Sequence, residues 1–360
     1  MSNPNTENEK IYVGMDVSQK TFEVFVIQGE KCSQKTLKIA NSKESISKFF
    51  SKLPVHDCVV ILETGTHSHW MSELISSLGA EVIVADARKL RFIWGSENKS
   101  DARDAEMLAR IGKFDRKLLY QTRPLTREEQ EDLLLVKIRG ALIKKRTAMV
   151  NEIRGWLRSI GEDDCGLTPE NMSKEFYQRL SPKLKKMFAP YIKVLAQLHA
   201  QIRQYDKLLE KECAKHPETK IMRQVNGVGP ITALTFFLLV RDPKRFKDGR
   251  QLSAYFGLVP RRDQSGEIDK QLGITKAGNH LMRTTLVQAA NYILGHFGED
   301  CDLREFGLRI CARGGTIARR KAKVAIARKL CSVLLTLWKN SDIPYDPHFI
   351  HQKKKQAKIA

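Results

Sequence analysis

Between Lys10 and about Lys113, short runs rich in β-branched and aromatic residues alternate with stretches whose apolar residues recur at helical spacing. "KIYVGMDV" and "TFEVFVIQ" are separated by a short polar turn and followed by "KCSQKTLKIA", which predicts a three-strand antiparallel meander. A helix around "SKESISKFFSKL", a strand "DCVVILE", a helix around "HWMSELISSLG", a strand "EVIVAD" and helix through "SDARDAEMLARIGKF" come next. Three strands followed by α-β-α-β-α is the order of a ribonuclease H-like α/β domain, and that fold class is the expectation for the N-terminal part.

Pro124 closes this region, and "TREE", Thr126 to Glu129, has the spacing of a capping box. Leu135, Ile138, Leu142, Met149, Ile153, Trp156 and Ile160 then keep largely to one helical face, so a long helix is expected. After the loop-like "GEDDCGLTPENMS", Tyr191, Leu195, Leu198, Ile202, Tyr205 and Leu209 recur at alternating steps of four and three. That seam lasts about three heptads and suits either packing against the first long helix or a coiled-coil dimer; Pro190 is expected to begin or kink its helix. From about Ile221 the chain reads as a compact, mainly α domain. It contains "VNGVGPITALTFFLLV", a glycine turn feeding an apolar helix, then helices in "DGRQLSAYFGLVP" and "NHLMRTTLVQAANYILGHF". Between the last two lies "RRDQSGEIDKQLGITKAGN", residues 261–279, too glycine-rich for an internal helix and too polar for a buried strand, so a loop is expected.

Charge changes the picture. Lys and Arg number 62 against 41 acids, a formal charge of +21, which points to a polyanionic partner, nucleic acid first. Residues 308–330 hold eight basic residues and no acid, and they read either as a solvated face or, the reading favoured here, as phosphate contacts through Arg313, Arg319, Arg320, Lys321 and Lys323. "NGVGP" suits a phosphate at a helix N-terminus, or close helix packing through small glycines. No apolar run approaches the roughly 20 residues that cross a bilayer, and "MSNPNTENEK" lacks a signal-peptide core, so a cytoplasmic protein without membrane contact is expected. Seven scattered cysteines without a CxxC pair argue against zinc and disulfide frameworks.

Candidate chemistry begins with acids. Asp16 ends the apolar run of "VGMDVSQ", Glu63 ends that of "VVILETG", and Asp101 and Asp104 share a helix face in "NKSDARDAEMLA". Singly, such residues are ordinary solvated turn acids or complements to a helix dipole. In a ribonuclease H-like sheet, however, these elements meet at one edge, where four carboxylates suit one or two Mg²⁺ ions for phosphoryl transfer.

These acid motifs, together with "LSAYFGLVPRRDQSGEIDKQLGITKAGNHLMRTTLVQAA", resemble the DEDD transposases of bridge-RNA-guided insertion sequences, relatives of pilin-gene invertases. The resemblance covers nearly the whole chain. It implies a RuvC-like domain over 10–123, a helical linker and coiled-coil dimerisation region over 124–218, a C-terminal transposase domain over 219–345 and a basic tail over 346–360. By the same resemblance Asp16, Glu63, Asp101 and Asp104 are the metal-holding acids, and Ser265 is a nucleophile forming a phosphoserine with DNA. The partners implied are donor and target DNA, a structured noncoding guide RNA, and further copies of the chain in a dimer or tetramer. Position 67 departs from the family pattern, with His67 where tyrosine is more frequent.

Chemistry gives the serine a separate rationale. A serine hydroxyl needs activation, no dyad of serine-enzyme spacing surrounds Ser265, and Arg261, Arg262 and Lys276 stand ready to hold a phosphate. Gly266 would let the backbone approach DNA closely. Two rival classes stay open: a RuvC-like nuclease that hydrolyses DNA, and a noncatalytic nucleic-acid-binding protein.

Overall fold

A computed structural model describes residues 10–29, 31–32, 36–87, 89–90, 100–162, 168–172, 177–265 and 268–349. Gly266 and most of the expected basic tail lie outside the described residues. The chain divides into two compact units, Met1–Glu131 and Asp132–Ala360.

In the first unit, β1 (Ile11–Val17) and β2 (Thr21–Gln28) pair antiparallel from Ile11 opposite Gln28 to Val17 opposite Phe22. The expected third strand arrives as two short pieces, β3 (Lys31–Cys32) and β4 (Leu37–Ala40), both on β2. Helix α1 (Lys43–Phe50) leads to β5 (Cys58–Glu63), parallel to β1. Helix α2 (Ser68–Ser77) leads to β6 (Glu81–Ala85), parallel to β5, and α3 (Asp101–Phe114) precedes the antiparallel edge strand β7 (Gln121–Thr122). The seven-stranded sheet runs β3-β2-β1-β5-β6-β7 with β4 also on β2, a ribonuclease H-like arrangement.

Burial explains the sequence pattern. Cys58 through Leu62 are fully buried because β5 is covered on both faces, which is why "CVVIL" reads as a continuous apolar run. One face packs Val13, Met15, Val60 and Leu62 against Ile46, Phe50, Met71 and Ile75 of α1 and α2. The other packs Val59, Ile61 and Ile83 against Leu108 and Ile111 of α3. Helix α3 comes unusually close to β1. A Cβ on Gly14 would lie 2.0 Å from the Ala105 carbonyl oxygen and 2.6 Å from the Ala109 nitrogen, so only glycine fits there.

Helix α4 (Arg127–Ser159) starts with the expected capping box. The Thr126 N–H donates to Glu129 Oε2 at 2.8 Å and the Glu129 N–H donates to Thr126 Oγ1 at 3.2 Å. Two single turns, α5 (Pro169–Asn171) and α6 (Tyr177–Arg179), separate it from α7 (Pro182–Ala214). Helix α7 begins at Pro182, capped by Ser181, and runs through Pro190, which therefore does not mark its start.

Within the second unit α4 and α7 lie antiparallel. Val150, Ile153 and Leu157 pack on Phe188, Ile192 and Leu195, and Arg139 pairs with Asp206 at 2.7 Å. The seam residues Leu195, Ile202 and Leu209 are thus buried within one chain. The buried stripe of α4 is Leu133, Val136, Val150, Ile153 and Leu157, not the one expected. Of the expected stripe only Ile153 is fully buried, while Ile138, Trp156 and Ile160 are exposed. The expected stripe still touches α7 at its flank, where Met149 packs on the cluster and the Trp156 ring lies 5.2 Å from that of Tyr191.

The remainder is α8 (Pro217–Met222), α9 (Pro230–Val240), α10 (Gly249–Tyr255), strands β8 (Pro260–Ser265) and β9 (Ile268–Ile274), α11 (His280–Leu294), α12 (Asp302–Cys311) and α13 (Gly315–Lys339). Phe236, Leu252, Phe256, Met282, Leu286, Leu330 and Leu334 form its core. In "NGVGP", Gly227 sits against α11, where a Cβ would come within 3.1 Å of the Ala289 carbonyl oxygen, which is the close-packing reading of that turn. The five cysteines whose side chains are described are free, and four of them are buried. Among the described residues no helix is long and apolar enough to cross a membrane.

The approach at Gly14 yields a prediction. Gly14→Ala forces α3 away from β1 and should cost about 1–3 kcal/mol, as overpacking of a close-packed interior does, measured as a lower midpoint in urea unfolding.

Candidate active site

The acid-bearing edge is built by register. Met15 lies opposite Leu62 across the parallel β1–β5 pair, so the next residues, Asp16 and Glu63, leave adjacent strands at the same edge. Adjacent strands lie about 4.8 Å apart, close enough for one cation to engage both carboxylates. Helix α3 runs antiparallel to β1: Gly112 lies near the Tyr12 ring, Ala105 and Ala109 over Gly14, and the first turn is thereby carried toward Asp16. That turn holds Asp101, which is exposed, and Asp104, which is buried at 8% exposure. Ser100 caps it by accepting from the Arg103 N–H at 3.3 Å. The structure therefore brings three acid-bearing elements to one end of the sheet. Their all-oxygen donor set fits a hard divalent cation.

The loop after β5 is fixed by its own hydrogen bonds. The Thr64 N–H donates to the Ala85 carbonyl at 2.9 Å, and the Ser68 hydroxyl donates to the Gly65 carbonyl at 2.8 Å. His67 accepts from Trp70 Nε1 at 3.2 Å, so the residue that departs from the family pattern is used in local packing. Ser18 Oγ donates to the Thr21 carbonyl at 2.7 Å. A further acid, Asp86, follows β6 at the same edge and is only 7% exposed. The sequence reading passed over it, although "EVIVAD" carries the same signal as the other two strands, an apolar run ending in an acid.

Residues 261–279 are not the expected loop. Strands β8 and β9 form an antiparallel ribbon in which Ser265, the last residue of β8, lies opposite Ile268. A two-stranded ribbon that projects from a helical core needs no buried face, so its polarity hid it from a test that looks for apolar alternation. Arg261 and Arg262 are exposed on β8. Lys276, also exposed, follows β9 in a left-handed conformation, φ 54°.

The ribbon's base is held tightly. At Gly278 (φ 81°) a Cβ would lie 2.0 Å from the Tyr255 carbonyl oxygen. The Arg283 guanidinium donates to the carbonyls of Phe256, Ala277 and Gly278 at 3.2, 2.7 and 3.0 Å. Asn279 caps α11 by accepting from the Met282 N–H at 3.1 Å. Arg283 is a positioning residue that the sequence reading did not single out; its signal was an arginine four residues into a helix whose cap adjoins a glycine turn.

On α13 and the turn before it, Arg313, Arg319, Arg320 and Lys321 are exposed and Lys323 is half-buried. Ala318, Ala322 and Ile326 take the opposite, buried side of the same helix. The charges therefore lie on a solvent-facing stripe.

A ribonuclease H-like sheet edged with acids, followed by a helical unit bearing a serine at a ribbon end, defines a class of DNA-processing enzymes, and two family descriptions match it. A DEDD-type transposase domain matches residues 13–162, and "Transposase IS116/IS110/IS902 family" matches residues 219–302. The transposase for insertion sequence element IS1111A of Coxiella burnetii is 30% identical over 294 residues, 78% of this chain and 77% of that relative. A putative transposase of Sinorhizobium fredii is 31% identical over 291 residues, 79% of this chain and 73% of that protein. The pilin gene-inverting protein of Moraxella bovis is 24% identical over 342 residues, 90% and 94% of the two chains. The chain belongs to the IS116/IS110/IS902 family of transposases. Its substrate class is accordingly DNA, and its DEDD domain is of a kind that uses divalent metal.

Removing the Arg283 clamp tests the ribbon's support. Arg283→Ala leaves carbonyls without their donor and should lower stability by about 1–3 kcal/mol in urea titration, with faster proteolytic cleavage inside residues 260–274.

Proposed function

We propose that this transposase is an RNA-guided DNA recombinase that exchanges strands through a covalent phosphoserine at Ser265. The observation that carries the reading is the presence, in one chain, of an acid-edged sheet and of a serine at the end of a ribbon strand that also bears the exposed Arg261 and Arg262. Asp16, Glu63, Asp101 and Asp104 would hold Mg²⁺, as two ions, supplying Lewis acidity to the phosphodiester oxygens. Acids and serine act on one phosphodiester within an assembled homo-oligomer, a dimer or tetramer. The exposed apolar side chains Ile138 and Trp156 on α4 and Ile160 just after it support such self-association.

The chemistry follows from the groups. Ser265 Oγ attacks phosphorus, the Oγ–P bond forms, the P–O3′ bond breaks, and the serine proton ends on the departing 3′-oxygen. DNA is left joined to serine through its 5′-phosphate. A 3′-hydroxyl of another strand then attacks the same phosphorus and Oγ leaves, so the phosphoester is conserved and no ATP is needed. Arg261, Arg262 and Lys276 steady the phosphate, and Arg313, Arg319, Arg320, Lys321 and Lys323 bind flanking backbone. Such contacts position DNA without reading its sequence. Sequence reading is assigned to base pairing by a structured noncoding RNA, a role supported by the chain's resemblance and by its +21 charge.

With donor and target DNA and Mg²⁺, the wild-type chain should give a protein–DNA adduct that survives denaturing electrophoresis. Ser265→Ala should abolish both adduct and strand exchange, and Asp16→Asn should do the same while leaving DNA affinity near wild type. Cleavage retained by Ser265→Ala without adduct would assign hydrolysis instead. Sequence-independent DNA binding should weaken with salt, and joint replacement of Arg319, Arg320 and Lys321 by alanine should reduce the log–log salt slope by about 3, measured by fluorescence anisotropy.

A further inference from the structure

Three helices of the second unit bring together a ligand set that the recombination chemistry does not use. Asp132 comes from the start of α4, Glu212 from the last turn of α7, and His216 is the residue preceding α8. Their donor atoms all lie within 4.8 Å of one another. His216 Nε2 stands 3.7 Å from Asp132 Oδ2 and 4.0 Å from Glu212 Oε1. These separations are too long for hydrogen bonds. The nitrogen is shielded from solvent and has no hydrogen-bond partner.

Neighbouring groups hold this arrangement in place. The imidazole stacks on Phe237, with ring centroids 4.4 Å apart and planes at 33°, which fixes its orientation. Lys215 binds Glu212 through Oε2 at 2.7 Å, leaving Oε1 as the oxygen nearer the imidazole.

We propose that Asp132, Glu212 and His216 form a binding site for a divalent transition-metal ion, Zn²⁺ by preference, that ties α4 to the α7–α8 junction. A tetrahedral Zn²⁺ with bonds of about 2.0–2.2 Å sets its ligands about 3.3–3.6 Å apart, close to the 3.7 and 4.0 Å that separate His216 Nε2 from the two carboxylates. The imidazole favours Zn²⁺ over Mg²⁺ and Ca²⁺, which select all-oxygen sets. Three protein ligands leave a fourth position for water. The site is separate in sequence and ligand chemistry from the four acids of the first unit.

The experiment uses the full chain carrying Asp16→Asn and Glu63→Gln, which disables the acid edge and makes failure there distinguishable from failure here. After chelator dialysis, Zn²⁺ is titrated calorimetrically and thermal unfolding is followed with and without it. One Zn²⁺ per chain and a higher Tm are expected. Loss of an outer-shell partner alone typically costs about 10–100-fold in metal affinity, so His216→Asn should weaken binding by more than about a hundredfold. Glu212→Gln serves as the second variant, and Co²⁺ absorption reports whether a nitrogen ligand is present. Equal Zn²⁺ affinity in the His216→Asn and parent chains, or a preference for Mg²⁺ over Zn²⁺, overturns the proposal.

Discussion

The contact between Gly14 and the backbone of α3 is the constraint on which the first unit depends. A side chain as small as methyl would overlap the Ala105 carbonyl, so strand and helix meet backbone to backbone. That approach sets how far the first turn of α3 reaches along β1. It thereby decides whether Asp104 stands near the strand ends or is displaced from them. The acid-bearing edge thus rests on the absence of a side chain two residues before Asp16.

The second unit solves a different problem. Its reactive candidate sits on two strands with little apolar surface of their own, so the ribbon draws its order from the helical core. Gly278 allows chain segments to touch, and Arg283 satisfies three carbonyls that the turn would otherwise leave to water. All three contacts converge on one terminal nitrogen, Nη1, whose two hydrogens are shared among the three acceptors.

Much of the first unit was legible because its elements obey simple periods. The runs ending in Asp16 and Glu63 are central strands buried on both faces, and the α3 pattern matches a helix whose small residues 105, 109 and 112 face the sheet. Position 86 carries the same signal, an apolar run ending in an acid. The ribbon was hidden since alternation is written only where one face is buried. In α4 the period was visible but the phase was not, because apolar residues flank the buried stripe and sequence does not say which of them the antiparallel partner covers. The Asp132, Glu212 and His216 group was beyond reach for another reason: its members are separated by long helices, and only the folded hairpin of α4 and α7 brings them close.

The ribbon also bears on which changes this chain tolerates. Strands with a buried face resist slippage because a shift of one residue would turn apolar groups to water. Strand β9 meets the helical core at Ile274, and the β8–β9 alignment includes an irregularity between Pro260 and Arg262. Length along the ribbon is therefore constrained. Inserting or deleting one residue between the anchored base and position 265 would shift that position by one step of the strand's alternation.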